Sequence, residues 1–293
     1  MENCIKIGQG DLTAWVARPG KRYNRTRFDW TGFIPQVALK GKTFCTPEGA
    51  PWHENDTGGE GLCNEFKASD EDMGFDDQDR LFLKPGVGLL ERADNAPYHF
   101  GTDYRLVEPF PCTMRTGADY VDFHLGAIPL KGLAYTMDKH VGIIGDMLVI
   151  TTTVTNMGQR AINLREYNHN FLSMDGQGAH PGVSLTLQKN YRDGLNRPGL
   201  VKHPDSISFT PELANAFMIY CDEVTPHSPM RWELKDDKAK MSIQEWGDFD
   251  IAGFAVWGGP HVVSPEIFVD FTLNPGQSRG WTRLWRFAVE NLI

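Results

Sequence analysis

The amino-acid sequence predicts an antiparallel all-β chain with few short helices. Helical periodicity is scarce, and most apolar segments are short, rich in β-branched or aromatic residues, and interrupted by Gly, Pro, Asn or Asp. Two segments show this pattern most clearly. Residues 147–171 read as strand, Asn-Met-Gly turn and strand, and residues 266–287 as strand, Asn-Pro-Gly turn and strand. Both are predicted to be β-hairpins.

The segments between the predicted strands are of two kinds. Residues 45–80 are rich in acids and glycines with little periodicity, which favours a long loop over the sheet, and residues 174–206 form a second irregular stretch. A short helix is predicted near residues 210–217, where Thr210-Pro211-Glu212 has the chemistry of a helix N-terminus. No repeat or linker interrupts the chain, so residues 1–293 are expected to form a single domain.

Composition and charge narrow the class of partner. The net charge is −9, from 29 basic and 38 acidic residues, and no Lys/Arg-rich run is present, so nucleic acid is not an expected partner. No segment reaches the 18 apolar residues of a membrane span, and the first 20 residues lack a signal-peptide core, so a cytoplasmic protein without a membrane partner is expected. Nothing in the pattern predicts an oligomeric state.

The cysteines are odd in number and irregularly spaced, with no C-x-x-C motif. This favours buried reduced thiols over disulfides. They are Cys4, Cys45, Cys63, Cys112 and Cys221.

Standard motifs for metal, nucleotide and serine chemistry are missing. The nine histidines form neither an H-E-x-x-H motif nor a Cys/His cluster, and there is no G-x-x-x-x-G-K-[ST] loop and no G-x-S-x-G elbow. We therefore expect no metal site and no cofactor, and acid–base chemistry becomes the main candidate.

The segment EYNHNFLSMDG, residues 166–176, provides the first candidate for that chemistry. On a strand, Tyr167, His169 and Phe171 share one face. An imidazole between two aromatic rings, on a strand that also supplies amides, suits a sugar-binding surface with a proton donor. The alternative is a core histidine satisfied by a backbone carbonyl.

The segment HVVSPEIFVDF, residues 261–271, provides the second candidate for acid–base chemistry. Glu266 shares a strand face with Phe268 and Asp270 in an otherwise apolar segment, where a carboxylate must be paired, hydrogen-bonded or shifted in pKa. Such carboxylates are candidate general bases. The alternative is an exposed glutamate at a strand end, just after the Ser264-Pro265 turn.

Candidate substrate-binding residues are more scattered. Lys84, Arg92 and His99 surround a glycine-rich bend and could bind sugar hydroxyls or an anionic substituent, and Asn64 in GGEGLCNEF could do the same beside Glu60 and Glu65. Tyr167 is a further candidate because it shares the face of His169. For Lys84, Arg92, His99 and Asn64, a solvated surface role is the competing interpretation.

Together these motifs resemble the aldose 1-epimerase, or galactose mutarotase-like, family. Residues 153–176 look like its strand–turn–strand segment with an Asn-His-x-aromatic motif, and residues 254–287 are similar to its C-terminal strand with the base glutamate. The resemblance implies a large antiparallel β-sandwich, with His169 as catalytic acid and Glu266 as catalytic base. The family's usual G-R-x-x-N-R-I segment and its His before Gly-Gly are absent, so Arg92 and His99 correspond only by rough position.

The expected function is interconversion of the anomers of a small-molecule carbohydrate by acid–base ring opening and closure. Two alternatives remain open. One is a carbohydrate-binding protein without turnover, since fold does not fix function. The other is a different sugar enzyme on a related sandwich, either a lyase using Tyr167 and Arg92 or a hydrolase using two carboxylates.

Overall fold

The structure is a computed structural model that describes residues 1–49, 56–187, 197–221 and 231–290. In these ranges the chain forms 22 β-strands and no helix. The strands are β1 (Cys4–Gln9), β2 (Leu12–Ala17), β3 (Gln36–Leu39), β4 (Lys42–Thr43), β5 (Leu62–Lys67), β6 (Leu81–Lys84), β7 (Gly88–Glu91), β8 (Arg105–Pro109), β9 (Cys112–Thr116), β10 (Tyr120–Leu125), β11 (Tyr135–Ile144), β12 (Met147–Asn156), β13 (Ile162–Asn170), β14 (Val183–Leu187), β15 (Leu200–Lys202), β16 (Ser206–Phe209), β17 (Phe217–Cys221), β18 (Arg231–Asp236), β19 (Met241–Gly247), β20 (Gly253–Gly259), β21 (Val262–Leu273) and β22 (Ser278–Val289).

Two large sheets form the body of the protein. A ten-stranded sheet has the order β15-β16-β14-β18-β19-β22-β12-β11-β10-β9, and a five-stranded sheet has the order β17-β20-β21-β13-β5. A four-stranded sheet, β1-β2-β3-β4, and a three-stranded sheet, β6-β7-β8, complete the fold. The pairings of the two large sheets are antiparallel, as the strand pattern predicts.

The core lies between the two large sheets. Alternate residues of β13 and β21, such as Leu164 and Ile267, point into one apolar cluster with Trp285 and Ile150 of the ten-stranded sheet. Because strand side chains alternate, the remaining residues of β5, β13 and β21 lie on the opposite, outer face of the five-stranded sheet. That outer face carries the candidate site.

Both predicted hairpins have the right strands but the wrong pairing. β12 pairs with β11 and β22 in the ten-stranded sheet, whereas β13 pairs with β5 and β21 in the five-stranded sheet. In the same way, β21 and β22 belong to different sheets. Turn chemistry predicts that the chain reverses, but it does not decide whether the flanking strands bond edge to edge or face each other across a core. Here both connections cross from one sheet to the other.

Asn156 fastens these two crossings together. Its side-chain amide donates to the carbonyls of Leu273, at 2.9 Å, and Arg160, at 2.7 Å. Its backbone exchanges hydrogen bonds with Gly276 and Gln277 in the other crossing. Both turns between the sheets are therefore held by one buried asparagine.

The three irregular segments also differ from expectation. The segment at residues 45–80, predicted to be a long loop, contains the buried strand β5. The polar residues Asn64 and Glu65 in this strand make it look like part of a loop in the sequence. The stretch at residues 174–206 contains β14 and β15, while its residues 188–196 lie outside the described ranges. The predicted helix near residues 210–217 is a turn, in which Thr210 bonds Glu212. Because β17 begins at Phe217, too few residues remain for a helix.

The described cysteines are free, and their burial differs. Cys45 and Cys63 are buried, Cys4 is half-buried and Cys112 is exposed on β9, so the expectation of buried thiols does not hold for Cys112. The side chain of Cys221 lies outside the described residues. In the described ranges no helix is present that could cross a membrane.

Replacing Asn156 with alanine should destabilise the fold by about 3 kcal/mol, because it removes the donor from one buried carbonyl, that of Leu273, and one partly buried carbonyl, that of Arg160. Urea unfolding of the wild-type and variant proteins measures the difference. Asn163→Ala is the matched control, since Asn163 is exposed and bonds Asp72 and Thr272 at the surface, and it should cost about 0.5 kcal/mol or less. Equal stabilities for the two variants would refute the role assigned to Asn156.

Candidate active site

A cavity of about 390 Å³ opens on the outer face of the five-stranded sheet. Its walls combine aromatic rings with a few charged groups, as is usual for small-molecule sites. They are formed by Arg27, Glu48, Lys67, Phe100, Tyr167, His169, Ala216, Met218, Tyr220, Trp257, Glu266 and Phe268. A larger, more open depression of about 630 Å³ lies on the outer face of β9 to β12, but its histidines already pair with aspartates at the surface.

Strand alternation brings the two main candidates into this cavity. His169 and Tyr167 project from β13, and Glu266 and Phe268 project from the neighbouring β21, with Tyr167 directly opposite Phe268. The shared face expected for each pair is therefore observed. Asp270, two residues further along β21, instead binds Arg165 at the surface.

His169 and Glu266 are in direct contact. Nδ1 of His169 lies 2.9 Å from Oε1 of Glu266, and both side chains are almost completely buried. The contact does not have the alignment of a hydrogen bond, and Nδ1 has no hydrogen-bond partner among the described residues. The acid and base candidates thus meet as an ion pair, which leaves the Nδ1 proton available to a ligand.

The other ring nitrogen of His169 faces Arg27. Nη2 of Arg27 lies 2.9 Å from Nε2, and Oε2 of Glu65 lies 3.2 Å from the same atom. Since a guanidinium only donates, Nε2 accepts from Arg27 only in the neutral tautomer that carries its proton on Nδ1. Whenever Nε2 carries a proton, as in the protonated ring or in the neutral ring that has donated from Nδ1, it can donate to Glu65 instead.

The surroundings of His169 favour its protonated form. Burial is the largest single influence and lowers its pKa, and the charge of Arg27 lowers it further. The charge of Glu266 and the contacts with Glu266 and Glu65 raise it, and together they outweigh burial and Arg27. The net result is a pKa above the usual 6.5. His169 therefore carries its proton to higher pH than a free imidazole does.

Arg27 forms the charged floor of the cavity. Its Nε donates to Glu65 at 2.8 Å, and its Nη1 donates to Glu48 and to Thr57, each at 2.9 Å. The guanidinium also lies over the rings of Phe28 and Phe100. One cation is thus held in place by two carboxylates, and burial, which would raise the pKa of Glu65, is overcome by Arg27 and His169, which hold it well below its usual range.

Aromatic rings fix the orientation of His169 and provide apolar surface. Phe171 stacks on the imidazole at 5.2 Å, Phe28 meets it edge-on at 5.4 Å, and Tyr167 lies 4.9 Å away. Trp257 and Phe268 extend this surface along the cavity. Such rings pack well against the C–H faces of a sugar ring.

The remaining predicted binding residues lie outside the cavity lining. Lys84 is buried and donates to the carbonyl of Phe66 at 2.6 Å, and burial lowers its pKa to about 8. Arg92 is buried against Phe75 and paired with Asp70. Asn64 points into the core, where it donates to Glu166 at 2.6 Å.

His99 is exposed and stacks on Phe100 beside the cavity. Of the five residues predicted to bind substrate, Tyr167 alone is among the residues that line the cavity.

Arg27, Glu48, Lys67 and Trp257 line the cavity and were missed by sequence reasoning. Arg27 is identified only by partners 21 and 38 residues away, Glu48 and Glu65. The segment RTRFDWTG around it, with charged and aromatic residues in alternation, is the one local signal that could have drawn attention to it. Within the described ranges, no group of three or more His, Cys, Asp or Glu side chains is placed to hold a metal ion.

Solved structures with this architecture have low sequence identity to the chain. Slr1438 from Synechocystis sp. PCC 6803 matches with a TM-score of 0.61 and 12% identity over 98% of this chain and 96% of that one. A galactose mutarotase-like protein from Lactobacillus casei ATCC 334 matches with a TM-score of 0.55 and 14% identity over 97% and 100%. A putative aldose 1-epimerase from Escherichia coli K12 matches with a TM-score of 0.59 and 11% identity over 98% and 99%.

The chain has the galactose mutarotase-like fold. The large antiparallel β-sandwich that the sequence resemblance implied is therefore confirmed. No protein-family model and no curated protein sequence matches the chain. At these identities the likeness establishes the fold alone.

Glu65→Gln should lower the free energy of unfolding by about 3 kcal/mol near neutral pH, because it breaks the buried ion pair between Glu65 and Arg27. The lowered pKa of Glu65 means that its carboxylate stabilises the fold above the usual value of 4.5, and that this contribution is lost as the pH falls through the lowered pKa. The stability difference from wild type should therefore shrink in acid, as measured by urea unfolding between pH 3 and 8.

Glu60→Gln is the control for this comparison. Glu60 pairs with Arg22 near the surface, where such a pair contributes about 0–1 kcal/mol. A stability loss for Glu65→Gln that did not depend on pH would contradict the assigned ionisation.

Glu266→Gln should lower the pKa of His169, because the charge of Glu266 is the largest influence that raises it. Titration of the imidazole C–H signals by NMR measures both values, and His124, on the distant ten-stranded sheet, is the internal reference. An unchanged His169 titration in the variant would show that the two side chains are not coupled.

Proposed function

We propose that the chain is an aldose 1-epimerase-like enzyme that interconverts the anomers of a sugar or sugar derivative by acid–base ring opening and closure. The observation that carries this proposal is the contact of His169 and Glu266 at the floor of one aromatic cavity, 2.9 Å apart. The fold shared with proteins described as galactose mutarotase-like and as a putative aldose 1-epimerase supports it.

The reaction needs an acid and a base that converge on one carbon. The ring oxygen and the anomeric hydroxyl are both bonded to the anomeric carbon, so the groups that act on them must lie close together. Protonated His169 donates from Nδ1 to the ring oxygen while ionised Glu266 accepts the hydroxyl proton. The bond from the anomeric carbon to the ring oxygen breaks, and the hydroxyl becomes an aldehyde.

Ring closure reverses these transfers. Rotation about the bond between the aldehyde carbon and its neighbour presents the other face of the carbonyl to the hydroxyl that attacks it. Neutral His169 takes the proton from that hydroxyl, and Glu266 returns its proton to the new anomeric oxygen. Each positioned acid or base contributes about 10² to 10⁴-fold, which suits a reaction that proceeds slowly in water without a catalyst.

The environment of His169 suits this role. Its raised pKa keeps the acid form populated at neutral pH. Glu65 can accept from Nε2–H of the protonated ring, which leaves the transferable proton of Nδ1 on the side of Glu266. Burial of both groups among aromatic rings limits competition from water.

The same contact also favours a second candidate, a carbohydrate-binding protein without turnover. A His–Glu ion pair can contribute to the wall of a binding cavity, and hydrogen-bond a sugar there, without transferring protons. The lyase alternative has less support, since it depends on Arg92, which is paired with Asp70 outside the cavity lining.

His169→Asn and Glu266→Gln should each reduce catalysed anomer exchange by at least about 10²-fold, because each removes one of the two proton-transfer groups. Saturation-transfer NMR on a panel of neutral and acidic sugars measures the exchange rate, and circular dichroism checks that the variants fold.

His124→Asn is the matched control for the histidine variant, since His124 pairs with Asp138 on the opposite side of the molecule and should leave the rate unchanged. Saturable sugar binding by the wild type with no exchange of any bound sugar would favour the binding protein. Full activity in both site variants would refute the assigned mechanism.

A further inference from the structure

We propose that the sugar bound in this cavity carries an anionic group and that Lys67 binds it. This inference rests on the proposed function, since it takes the cavity to be a sugar site. It concerns the outer end of the cavity, which the acid–base mechanism does not use.

Among the described residues that line the cavity, Lys67 is the cation that lacks a carboxylate partner. Arg27, the other cation, is held by Glu48 and Glu65. Lys67 is exposed at the end of β5 and, within the described ranges, forms no ion pair. Its positive charge is thus available to a ligand.

Arg165 on the neighbouring strand β13 is a cation that does have a carboxylate partner. Arg165 lies directly opposite Lys67 across the β5–β13 pairing, and it binds Asp270 through two bonds of 2.7 Å. The two cations share one face of the sheet, yet the one that lines the cavity has no such partner. An ammonium without a carboxylate partner gains from an anion that arrives with the ligand.

The position of Lys67 matches the size of a single sugar. Its Nζ lies 4.9 Å from the ring centre of Tyr167, and that ring lies 4.9 Å from the imidazole of His169. A pyranose that has its anomeric carbon at His169 and Glu266 and packs along the half-exposed ring of Phe268 can therefore extend toward Lys67. A substituent on the far side of the sugar ring falls within reach of the ammonium.

The charges of the cavity also orient an anionic sugar. At the inner, buried end, three carboxylates outnumber the two cations, whereas Lys67 lies at the exposed end. The carboxylates are Glu48, Glu65 and Glu266, and the cations are Arg27 and protonated His169. A negative group is repelled from the first region and attracted to the second, so the anomeric centre enters first. A carboxylate, a phosphate and a sulfonate share this chemistry, since each accepts hydrogen bonds from an ammonium.

The test compares anionic and neutral sugars on Lys67→Met, which keeps the apolar stem of the side chain over Tyr167. The ratio of kcat/KM for an anionic sugar to that for glucose should fall about tenfold or more, because one hydrogen-bonded charge pair is lost. Glucuronate, glucose 6-phosphate and 6-deoxy-6-sulfoglucose are the anionic probes, and the one most affected identifies the anionic group.

Arg165→Met is the matched control and should leave the ratio unchanged, since Arg165 is already neutralised by Asp270. Calorimetric binding of the same sugars is measured in parallel. Two results would overturn this inference and leave the epimerase proposal intact. One is a wild-type protein that exchanges the anomers of glucose as fast as those of every anionic sugar, and the other is an unchanged ratio in Lys67→Met.

Binding of an anionic sugar without anomer exchange would instead overturn the epimerase proposal, and loss of that binding in Lys67→Met would support the role of Lys67. Failure of the wild type to bind any of these sugars would overturn both proposals.

Discussion

Arg283 is the side chain on which the arrangement of the two large sheets depends. It projects from β22 of the ten-stranded sheet into the core, where its guanidinium binds Glu166 of β13 at 2.6 Å and the carbonyl of Ile267 in β21 at 2.8 Å. It also binds Glu245 of β19 at 2.9 Å. Charges buried this deeply are tolerated only when each is paired and hydrogen-bonded, so the sheets must meet in the one register that satisfies all three strands.

This network lies directly behind the candidate site. β13 alternates between the two environments: Glu166 and Asn170 belong to the network, and Asn170 also donates to Glu245, whereas Tyr167 and His169 face the cavity. β21 likewise offers the Ile267 carbonyl to Arg283 and the Glu266 carboxylate to the cavity. A shift of either strand by one residue would exchange the two faces and leave buried charges unpaired. The polar core therefore fixes the positions of the proposed acid and base.

Sequence patterns could predict those features of the site that depend on strand alternation alone. The period of two places His169 and Glu266 on definite faces of their strands, which is why both were found in the cavity. Pairing across sheets and burial by distant partners leave no such local sign. Arg92 and Lys84 are buried, and they are paired there with Asp70 and with the carbonyl of Phe66. Arg27 is held by carboxylates far along the chain. The connections from β12 to β13 and from β21 to β22 were predicted as hairpins for the same reason. A turn sequence does not specify whether its two strands pair with each other or lie in different sheets.

The contact between His169 and Glu266 stabilises the protonation states that the proposed reaction needs. In a water-poor cavity, an ion pair stabilises the imidazolium and the carboxylate together, and these are the protonation states that ring opening consumes. A sugar that inserts its ring oxygen and anomeric hydroxyl between the two groups replaces one charged contact with two hydrogen bonds to charged partners. If the open-chain sugar leaves before closure, a neutral imidazole and a protonated Glu266 remain side by side, and direct transfer of one proton from Glu266 to Nδ1 restores the starting pair. Because the two groups are 2.9 Å apart, the imidazolium and the carboxylate can be regenerated without proton exchange with solvent. Groups separated by a full sugar ring would need such an exchange.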